Sequence, residues 1–400
     1  MTARRTFLCA LALLVSVSSL GCGNDPAGTT PNAAPEVVKL AICGPMTGGG
    51  AAFGEMIRLA AQLKEDEVNS AGGLDVMGKK LKVQIVIEDD QGKAQEATSI
   101  ARKVGPDKSL CAVVGHFNSD CSLAAKPEYM NSGIVAISPG STNVNVCQGS
   151  DWFFRNLYRD DQQGTFLANF AKTSLKLNKV AVVHEVDNYG TGLKNAFEAE
   201  AKAIGLEIVA IETYQRDQTK DFKPHMTKVK QAGAEGVFIS GLFNEAALIV
   251  KAAREDLGMG AIPFFGGDGL SSDDLIKTAQ KSSEGVYVTT PFLFGTPQDT
   301  AEAKAFLEAF TKKHGKAPDT WAALTYDAMG QLLQVISKHG TDRTKIKDAL
   351  AKMTSAETGY KGVTGITYFD ANGDCVGKPI YVSMVQDGKF IVSPIQMLGK

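Results

Sequence analysis

The sequence predicts an α/β protein whose parallel sheets are built from repeated strand–helix units. Apolar runs of strand length alternate with segments of helical periodicity through almost the whole chain. Successive predicted strands lie about 25–30 residues apart, which leaves room for a crossover helix between parallel neighbours. The 41 glycines suit a fold with many tight turns between strands and helices. These three features predict βαβ units.

The elements up to residue 138 alternate in a regular order. Apolar runs without polar interruption predict buried strands, a helical period predicts helices, and Gly72-Gly73 ends the first helix. The predicted strands are 37–43, 81–88, 110–114 and 134–138. The predicted helices between them are 53–69, 93–104 and 123–130.

The same alternation resumes after an irregular stretch at 143–155. The next predicted strands are 180–184, 207–213, 236–240, 263–265 and 285–289. The helices among and after them are 162–173, 189–204, 222–232, 245–257, 273–279, 300–314, 320–338 and 342–353. The chain ends differently, because Gln386-Asp387-Gly388 between two apolar runs indicates an antiparallel hairpin.

Length and composition allow two domains and argue against nucleic-acid binding. The chain has 400 residues, of which 44% are hydrophobic and 22% charged, and its formal net charge is −2. A chain of this length can fold as two domains. Because a nucleic-acid-binding protein needs a basic surface to neutralise phosphates, the nearly neutral balance argues against that class.

The N-terminus has the pattern of an export signal. Arg4 and Arg5 precede an apolar segment, residues 7–17, that is too short to span a bilayer. The following Ser-Leu-Gly-Cys resembles a bacterial lipobox, so residues 1–22 are predicted to be a signal peptide with Cys22 as the lipidated residue. The leucine stands one position too close to the cysteine, and simple secretion is the alternative. The arginine pair leaves twin-arginine export open beside the Sec route.

Residues 23–36 are predicted to be a flexible tether. They contain no Val, Ile, Leu, Met or aromatic residue and therefore bury too little apolar surface to offset the entropy of ordering. The expected location is the periplasm or cell envelope, with a lipid at Cys22 as the only contact with the membrane. Without that lipid, the protein would be secreted and soluble.

Polar and glycine-rich segments follow the predicted strands. In open parallel sheets, ligands bind beyond the carboxyl ends of the strands. Several of these segments open helices, whose free N–H groups suit an anion. The segments are 44–53, 115–119, 138–142, 185–189, 241–244 and 266–268.

Six segments resemble the branched-chain amino acid binding proteins, which are type I periplasmic binding proteins that serve ABC importers. The segments are GPMTGGGAAFGEMIRLAAQL, VNSAGG, VVGHFNS, ISPGSTN, FRNLYRDDQQG and VHEVDNYGTG, in the order and spacing of the family. The resemblance covers about residues 37–395. It implies two doubly wound parallel-sheet lobes, joined by a three-strand hinge, that close over a ligand. Lobe 1 would comprise residues 37–156 and 287–376, and lobe 2 residues 157–286 and 377–400.

The resemblance also implies residues that bind the backbone of an amino acid. Ser119, Thr142 and the backbone of Gly140 would hold the carboxylate. Asp268 would hold the α-ammonium, although the amino acid binders of the family commonly have Glu there. The hydroxyl of Tyr189 would also contact the ligand backbone. Simpler roles remain open for three of them, since Ser119 can cap a helix, Asp268 can be a turn residue and Tyr189 can pack locally at a helix start.

The walls of the side-chain pocket would be Phe53, Phe117 and Leu242. Leu242 stands where branched-chain binders often carry Tyr, which removes a hydroxyl and adds apolar surface. Core packing is the commoner role of a buried phenylalanine and remains the alternative for Phe53 and Phe117. Weaker candidates for the same pocket are Phe243, Trp321 and Tyr326.

The cysteine positions predict one disulfide. An exported protein experiences an oxidising environment, which favours disulfides. Cys43 and Cys111 lie in apolar strands and are expected to be buried thiols. Cys121 and Cys147 lie in polar segments just past strand ends, so we expect them to pair. Cys375 has no assigned role.

The predicted function is an extracytoplasmic solute-binding protein that captures a small branched-chain or aliphatic amino acid for an ABC permease. We expect no catalysis, cofactor or metal, because the five histidines show no spacing typical of a metal site. One alternative is a ligand-sensing receptor domain of the same fold. The other is a binder of short amides, urea or aromatic acids.

Overall fold

The structure is a computed structural model that describes residues 37–296 and 299–397. The predicted signal peptide, Cys22 and the tether lie outside these residues. Across the two described segments, no helix combines the length and the apolar character that crossing a membrane requires.

Fifteen strands are formed in the described residues, and most of the longer ones coincide with predicted strands. They are β1 (Val37–Gly44), β2 (Leu74–Val76), β3 (Lys79–Asp89), β4 (Leu110–Val114), β5 (Val135–Ser138), β6 (Phe153–Arg155), β7 (Lys179–Glu185), β8 (Glu207–Tyr214), β9 (Gly236–Ser240), β10 (Phe264–Gly266), β11 (Tyr287–Thr290), β12 (Tyr360–Gly362), β13 (Gly365–Thr367), β14 (Tyr381–Gln386) and β15 (Lys389–Val392).

Eleven α-helices lie between and after these strands in the same part of the chain. They are α1 (Ala51–Ser70), α2 (Ala94–Val104), α3 (Ser119–Ser132), α4 (Asp160–Asn169), α5 (Asn188–Ala203), α6 (Lys223–Gln231), α7 (Phe243–Lys251), α8 (Asp273–Ala279), α9 (Ala301–His314), α10 (Thr320–His339) and α11 (Arg343–Ala351). Short π-helical turns extend α4 and α7 to Ser174 and Asp256.

The first sheet has the strand order β2-β3-β1-β4-β5-β6. Its central pairs are parallel, and only the short β2 is antiparallel to its neighbour. All five residues of β4 are buried, because helices cover both faces of the sheet. This explains why β4 is an uninterrupted apolar run in the sequence.

The second sheet has the strand order β15-β14-β11-β10-β9-β7-β8. The pairs from β11 to β8 are parallel, whereas β14 and β15 form the antiparallel hairpin that the sequence predicts. Asp387 and Gly388 both have positive φ in its turn. The strand β11 begins at Tyr287, the predicted start of a lobe 1 segment, and pairs within this second sheet. The predicted lobe boundaries stay predictions.

A third, two-stranded sheet consists of β12 and β13 and packs near α10. Asp327 of α10 fixes this hairpin, because its carboxylate accepts hydrogen bonds from the N–H groups of Val363 and Thr364 at 2.7 and 2.8 Å. The ammonium of Lys378 in turn donates to the carbonyl oxygen of Thr364 at 2.8 Å. These buried polar contacts join a helix, a hairpin and the chain that leads into β14.

Candidate functional site

The loops after the strands of the two sheets meet and enclose a cleft. Asn244, on the helix after β9, donates a hydrogen bond to the carbonyl oxygen of Gly49 after β1 at 2.6 Å. Asn143, in the segment after β5, donates to the carbonyl oxygen of Asn188 after β7 at 2.7 Å. The carboxyl ends of the two sheets therefore face each other, as expected for a ligand site in parallel sheets.

Ser119, Thr142 and Gly140 lie on the side of the cleft that belongs to the first sheet. Ser119 is the first residue of α3, and its buried hydroxyl oxygen accepts a long hydrogen bond, 3.3 Å, from the N–H of Asn143. Thr142 is buried, and its hydroxyl has no hydrogen-bond partner among the described residues. Both hydroxyls can donate to an anion, although that of Thr142 also lies near the carboxyl group of Asp160.

Gly140 is placed by its close approach to Phe117. A Cβ atom at this position would lie 2.3 Å from a ring carbon of Phe117, so only glycine fits under the ring. Its N–H is 3.3 Å from the hydroxyl of Ser138, a long hydrogen bond that a ligand carboxylate could replace.

Asp268 and Tyr189 lie on the side of the second sheet. The hydroxyl of Tyr189 donates to Oδ1 of Asp268 at 2.9 Å and accepts from the N–H of Gly269 at 3.0 Å. In the part of the chain that the structure describes, Oδ2 of Asp268 has no partner. Burial raises the pKa of Asp268 to about 6, against hydrogen bonds led by that of Tyr189. An incoming cation would stabilise the ionised form.

Asp160 is a second buried carboxylate that the sequence analysis did not select. It is the first residue of α4, and neither of its side-chain oxygens has a hydrogen-bond partner within residues 37–296 and 299–397. Burial raises the pKa of Asp160 well above its usual range, and the nearby Thr142 hydroxyl opposes this. The pair Asp160-Asp161 stands in the matched segment FRNLYRDDQQG. An aspartate at a helix start usually only stabilises the helix, so nothing in the local sequence singled out Asp160.

Four aromatic rings form the apolar part of the cleft. The ring of Phe53 lies 4.7 Å from that of Phe117 and 4.9 Å from that of Phe243, between ring centroids. Trp321 packs against Phe117 at 4.9 Å, and its indole N–H donates to the carbonyl oxygen of Ser271 at 3.1 Å. The rings come from both sides of the cleft, so they join its two walls.

Leu242 is buried directly before α7, and its side chain lies close to Gly269, beside Asp268. It therefore lies at the cleft, where the sequence analysis placed it. Tyr326 is elsewhere, because its hydroxyl donates to a carboxylate oxygen of Glu67 at 2.5 Å and the ammonium of Lys64 lies over its ring.

The expected disulfide between Cys121 and Cys147 is wrong in this structure. Both are buried free thiols, as are the other three cysteines of the described residues. Cys121 lies within the first turn of α3, not in a loop, and faces the core. Cys147 lies beside the buried ion pair of Arg155 and Asp374, which gives its thiol polar neighbours without a disulfide.

His116 is buried below the cleft, where it serves the interior. Its Nδ1 lies 2.6 Å from a carboxylate oxygen of Asp90, and its Nε2 lies 2.9 Å from the hydroxyl of Tyr129. Both ring nitrogens are thus occupied by partners from the same half of the molecule. The ring has no nitrogen left for a ligand or a metal.

Two facing parallel sheets that enclose a cleft with buried carboxylates and hydroxyls define a two-lobed solute-binding protein. The family model described as periplasmic binding protein matches residues 37–389, and the chain belongs to this family. The resemblance to its branched-chain amino acid binders is confirmed by the relatives below. The family consists of solute-binding proteins rather than enzymes.

Curated relatives and solved structures match over most of the chain. An amino acid binding protein of Pseudomonas aeruginosa is 35% identical over 319 residues, 79% of this chain and 82% of the relative. A Leu/Ile/Val-binding protein homologue of Brucella abortus is 32% identical over 332 residues, 82% of this chain and 85% of the relative. A branched-chain amino acid transporter substrate-binding protein of Streptococcus pneumoniae, in complex with isoleucine, has a TM-score of 0.82 at 31% identity and covers 91% of this chain and 99% of its own.

Proposed function

We propose that the protein captures a small aliphatic α-amino acid outside the cytoplasm and delivers it to an ABC importer. One observation carries this proposal. The buried Asp268 has an unpartnered carboxylate oxygen, and the hydroxyl of Thr142 has no partner either, within the described chain. An acceptor and a donor on opposite walls complement the ammonium and the carboxylate of an amino acid.

The two buried carboxylates explain why the ligand should carry one positive charge. Burial raises the pKa of both carboxyl groups, well above the usual range for Asp160 but only to about 6 for Asp268, where hydrogen bonds led by that of Tyr189 oppose it. One ammonium then balances one carboxylate, which removes the large cost of an unpaired buried charge. Each charge-assisted hydrogen bond to the ligand contributes roughly 1.5–3 kcal/mol.

The ligand carboxylate would lie against the wall of the first sheet. Ser119 and Thr142 donate from their hydroxyls, and Gly140 can donate from its N–H. These neutral donors hold a carboxylate without adding a full counter-charge, so the ligand must supply its own ammonium for Asp268. Contacts with both walls stabilise the closed cleft, and ligand binding shifts the open–closed equilibrium towards it.

The names of the relatives support the aliphatic class. The relatives from Brucella abortus and Streptococcus pneumoniae are described as Leu/Ile/Val-binding and branched-chain amino acid proteins. The ring cluster of Phe53 and its neighbours supplies an apolar surface for such a side chain. We further propose that no chemistry is done on the ligand, that a permease is the partner, and that a lipid at Cys22 holds the protein at the membrane.

Isothermal titration of the purified protein with three matched compounds tests the proposal. L-Leucine carries both charged groups, 4-methylpentanoate lacks the ammonium, and isoamylamine lacks the carboxylate. We expect binding of leucine only, because each analogue leaves one wall without its partner. Equal binding of leucine and 4-methylpentanoate would contradict the role of Asp268. Benzoate and urea in the same series test the two other ligand classes.

A further inference from the structure

A separate polar cavity of about 420 Å³ lies at the edge of the cleft. We call it the mouth cavity, and the lining residues that matter here are Asn118, Asp120, Glu185, Asp187, Arg216 and Leu242. Leu242 is shared with the amino acid site, and Asn118 directly precedes Ser119. The mouth cavity is therefore adjacent to the proposed amino acid site but is lined by other polar groups.

Arg216 is the central cation of the mouth cavity and serves two carboxylates. Its guanidinium forms ion pairs with Glu185 and with Asp187, the latter at 2.5 Å. Asp120, on the opposite wall, accepts a hydrogen bond from the side-chain amide of Asn188. The lining thus contains more carboxylates than cations.

Lys93 also lines the cavity but does not correct this imbalance. Its side chain is exposed, and its ammonium donates to the side-chain oxygen of Gln91 at 2.9 Å. The lining contains two cations, Lys93 and Arg216. Its four carboxylates are those of Asp120, Glu185, Asp187 and Asp217. A further positive charge is what such a lining favours.

Two buried acceptors of the lining have no partner in the residues that the structure describes. They are Oε2 of Glu185 and Oδ1 of Asn118, and these residues are only 1% and 7% exposed. Buried acceptors of this kind are costly unless a donor reaches them. Because a carboxylate oxygen and an amide oxygen both accept, a donor is the group that would satisfy both. Nε of Arg216 also lacks a hydrogen-bond partner among the described residues, but it lies against Oε1 of Glu185.

The protonation of Glu185 agrees with a missing cation. Burial raises the pKa of Glu185 to about 8, and Arg216 opposes this while Asp187 and Glu245 add to it. A single guanidinium is therefore insufficient to keep all of these carboxylates ionised.

We propose that the mouth cavity binds a positively charged nitrogen group, an ammonium or a guanidinium, between Glu185 and Asn118. This site is distinct from the α-ammonium site at Asp268. The charged group has two possible sources with the same chemistry. It is either the end of a long side chain on the bound amino acid or a separate small amine bound beside the amino acid.

Calorimetric titration of the purified protein with methylammonium chloride tests the site, with sodium chloride at equal concentration as the reference. Asn118→Ala removes one acceptor, and no helix cap is lost because the Asn118 side chain forms no capping hydrogen bond. Glu185→Gln removes the ionisable carboxyl group that a bound cation would hold in its charged form. The matched control is Gln218→Ala, an exposed residue of the same lining. We expect methylammonium binding to weaken about tenfold in Asn118→Ala and in Glu185→Gln, and to persist in the control.

Two further titrations distinguish the sources of the charge. Methylammonium is titrated with saturating leucine present, and L-lysine is compared with L-norleucine, which has the same chain without the ammonium. Binding of methylammonium beside leucine identifies a separate amine. A preference for lysine of about tenfold that Asn118→Ala abolishes identifies the ligand side chain. If Asn118→Ala changes neither titration, the proposal is wrong.

These experiments distinguish a failure of the amino acid proposal from a failure of the mouth cavity proposal. Leucine affinity of the wild type tests the site at Asp268, and we expect it to stay within about twofold in Asn118→Ala, because that side chain holds no part of the ligand backbone. Thermal melting of each variant shows whether it is folded. Since Glu185→Gln removes a partner of Arg216 and can disturb folding, Asn118→Ala alone is sufficient for the decision.

Discussion

The hydroxyl of Tyr189 and the carboxylate of Asp268 form a hydrogen bond of 2.9 Å inside the cleft. Tyr189 comes from α5, after β7, and Asp268 from the short turn after β10. The same hydroxyl accepts from the N–H of Gly269, so it fixes the turn and the orientation of the carboxylate together. Only Oδ2 of Asp268 is then left for a ligand. One tyrosine thus prepares the site for a cation.

Asp268→Asn should weaken leucine binding about 10- to 150-fold. The amide keeps the size and the hydrogen bond with Tyr189 but offers the ammonium no charge, and a charge-assisted bond contributes roughly 1.5–3 kcal/mol. Calorimetric titration measures the loss. The matched control is Asp273→Asn, an exposed carboxylate five positions further along the chain, which should bind like the wild type. Equal affinities of both variants would exclude Asp268 from the site.

Leucine affinity should decrease as the pH falls through about 6. Burial raises the pKa of Asp268 to about 6, and the ligand ammonium binds its ionised form. Leucine should therefore bind with its full affinity above this pH. At pH 5 the affinity should be about tenfold weaker, because binding must first remove the proton from Asp268. Titrations from pH 5 to 8 measure the step. The step should be absent in Asp268→Asn, and its persistence there would assign it to another group, such as Asp160.

The sequence was sufficient for the long elements and, apart from β10, insufficient for the strands of three residues. Strands such as β4 and β9 were predicted because both of their faces are buried, which produces uninterrupted apolar runs. The strands β2, β6, β12 and β13 contain three residues each, too few to show a period. The sequence predicted one hairpin because its turn has a strong local signal, whereas the β12–β13 pair depends on the distant carboxylate of Asp327.

The ligand-binding roles of the candidate site residues stay predictions. The resemblance supplied Ser119, Thr142, Tyr189 and Asp268, and the structure brings them to one cleft. Asp160 was not selected because its burial depends on tertiary packing, which its local sequence does not show. The expected disulfide failed because Cys121, placed in a loop from its polar surroundings, lies within a helix turn that faces the core.

Phe117→Leu should shift the ligand preference towards larger side chains. The ring of Phe117 covers Gly140 and packs 4.9 Å from Trp321, so it fills space beside the ligand side chain. Replacing the ring with an isobutyl group opens the pocket, and phenylalanine should gain about tenfold over valine. Competition titrations with both amino acids give this ratio. The control Phe310→Leu alters a buried ring of α9 outside the cleft and should leave the ratio unchanged, so equal shifts in both variants would contradict the prediction.

Asp327→Ala should destabilise the protein strongly without changing the site. Its carboxylate accepts from the N–H groups of Val363 and Thr364, and it also accepts from the hydroxyl of Thr364 at 2.6 Å. Removing it leaves these buried donors unpaired and takes away the negative charge near the buried ammonium of Lys378. The expected loss in the free energy of unfolding is about 3–5 kcal/mol, as for the removal of one partner of a buried charge pair.

Urea denaturation of two further variants isolates this effect. Asp348→Ala removes an exposed carboxylate that is ion-paired with the partly buried Lys347, and it should cost less than about 1 kcal/mol. Asp327→Asn keeps one oxygen acceptor, so its loss in the free energy of unfolding should lie between those of the two alanine variants. Because Asp327 contacts the β12–β13 hairpin rather than the residues of the cleft, leucine affinity measured below the unfolding transition should equal that of the wild type. A loss for Asp327→Ala no larger than that for Asp348→Ala would show that the β12–β13 hairpin is held by packing rather than by this carboxylate.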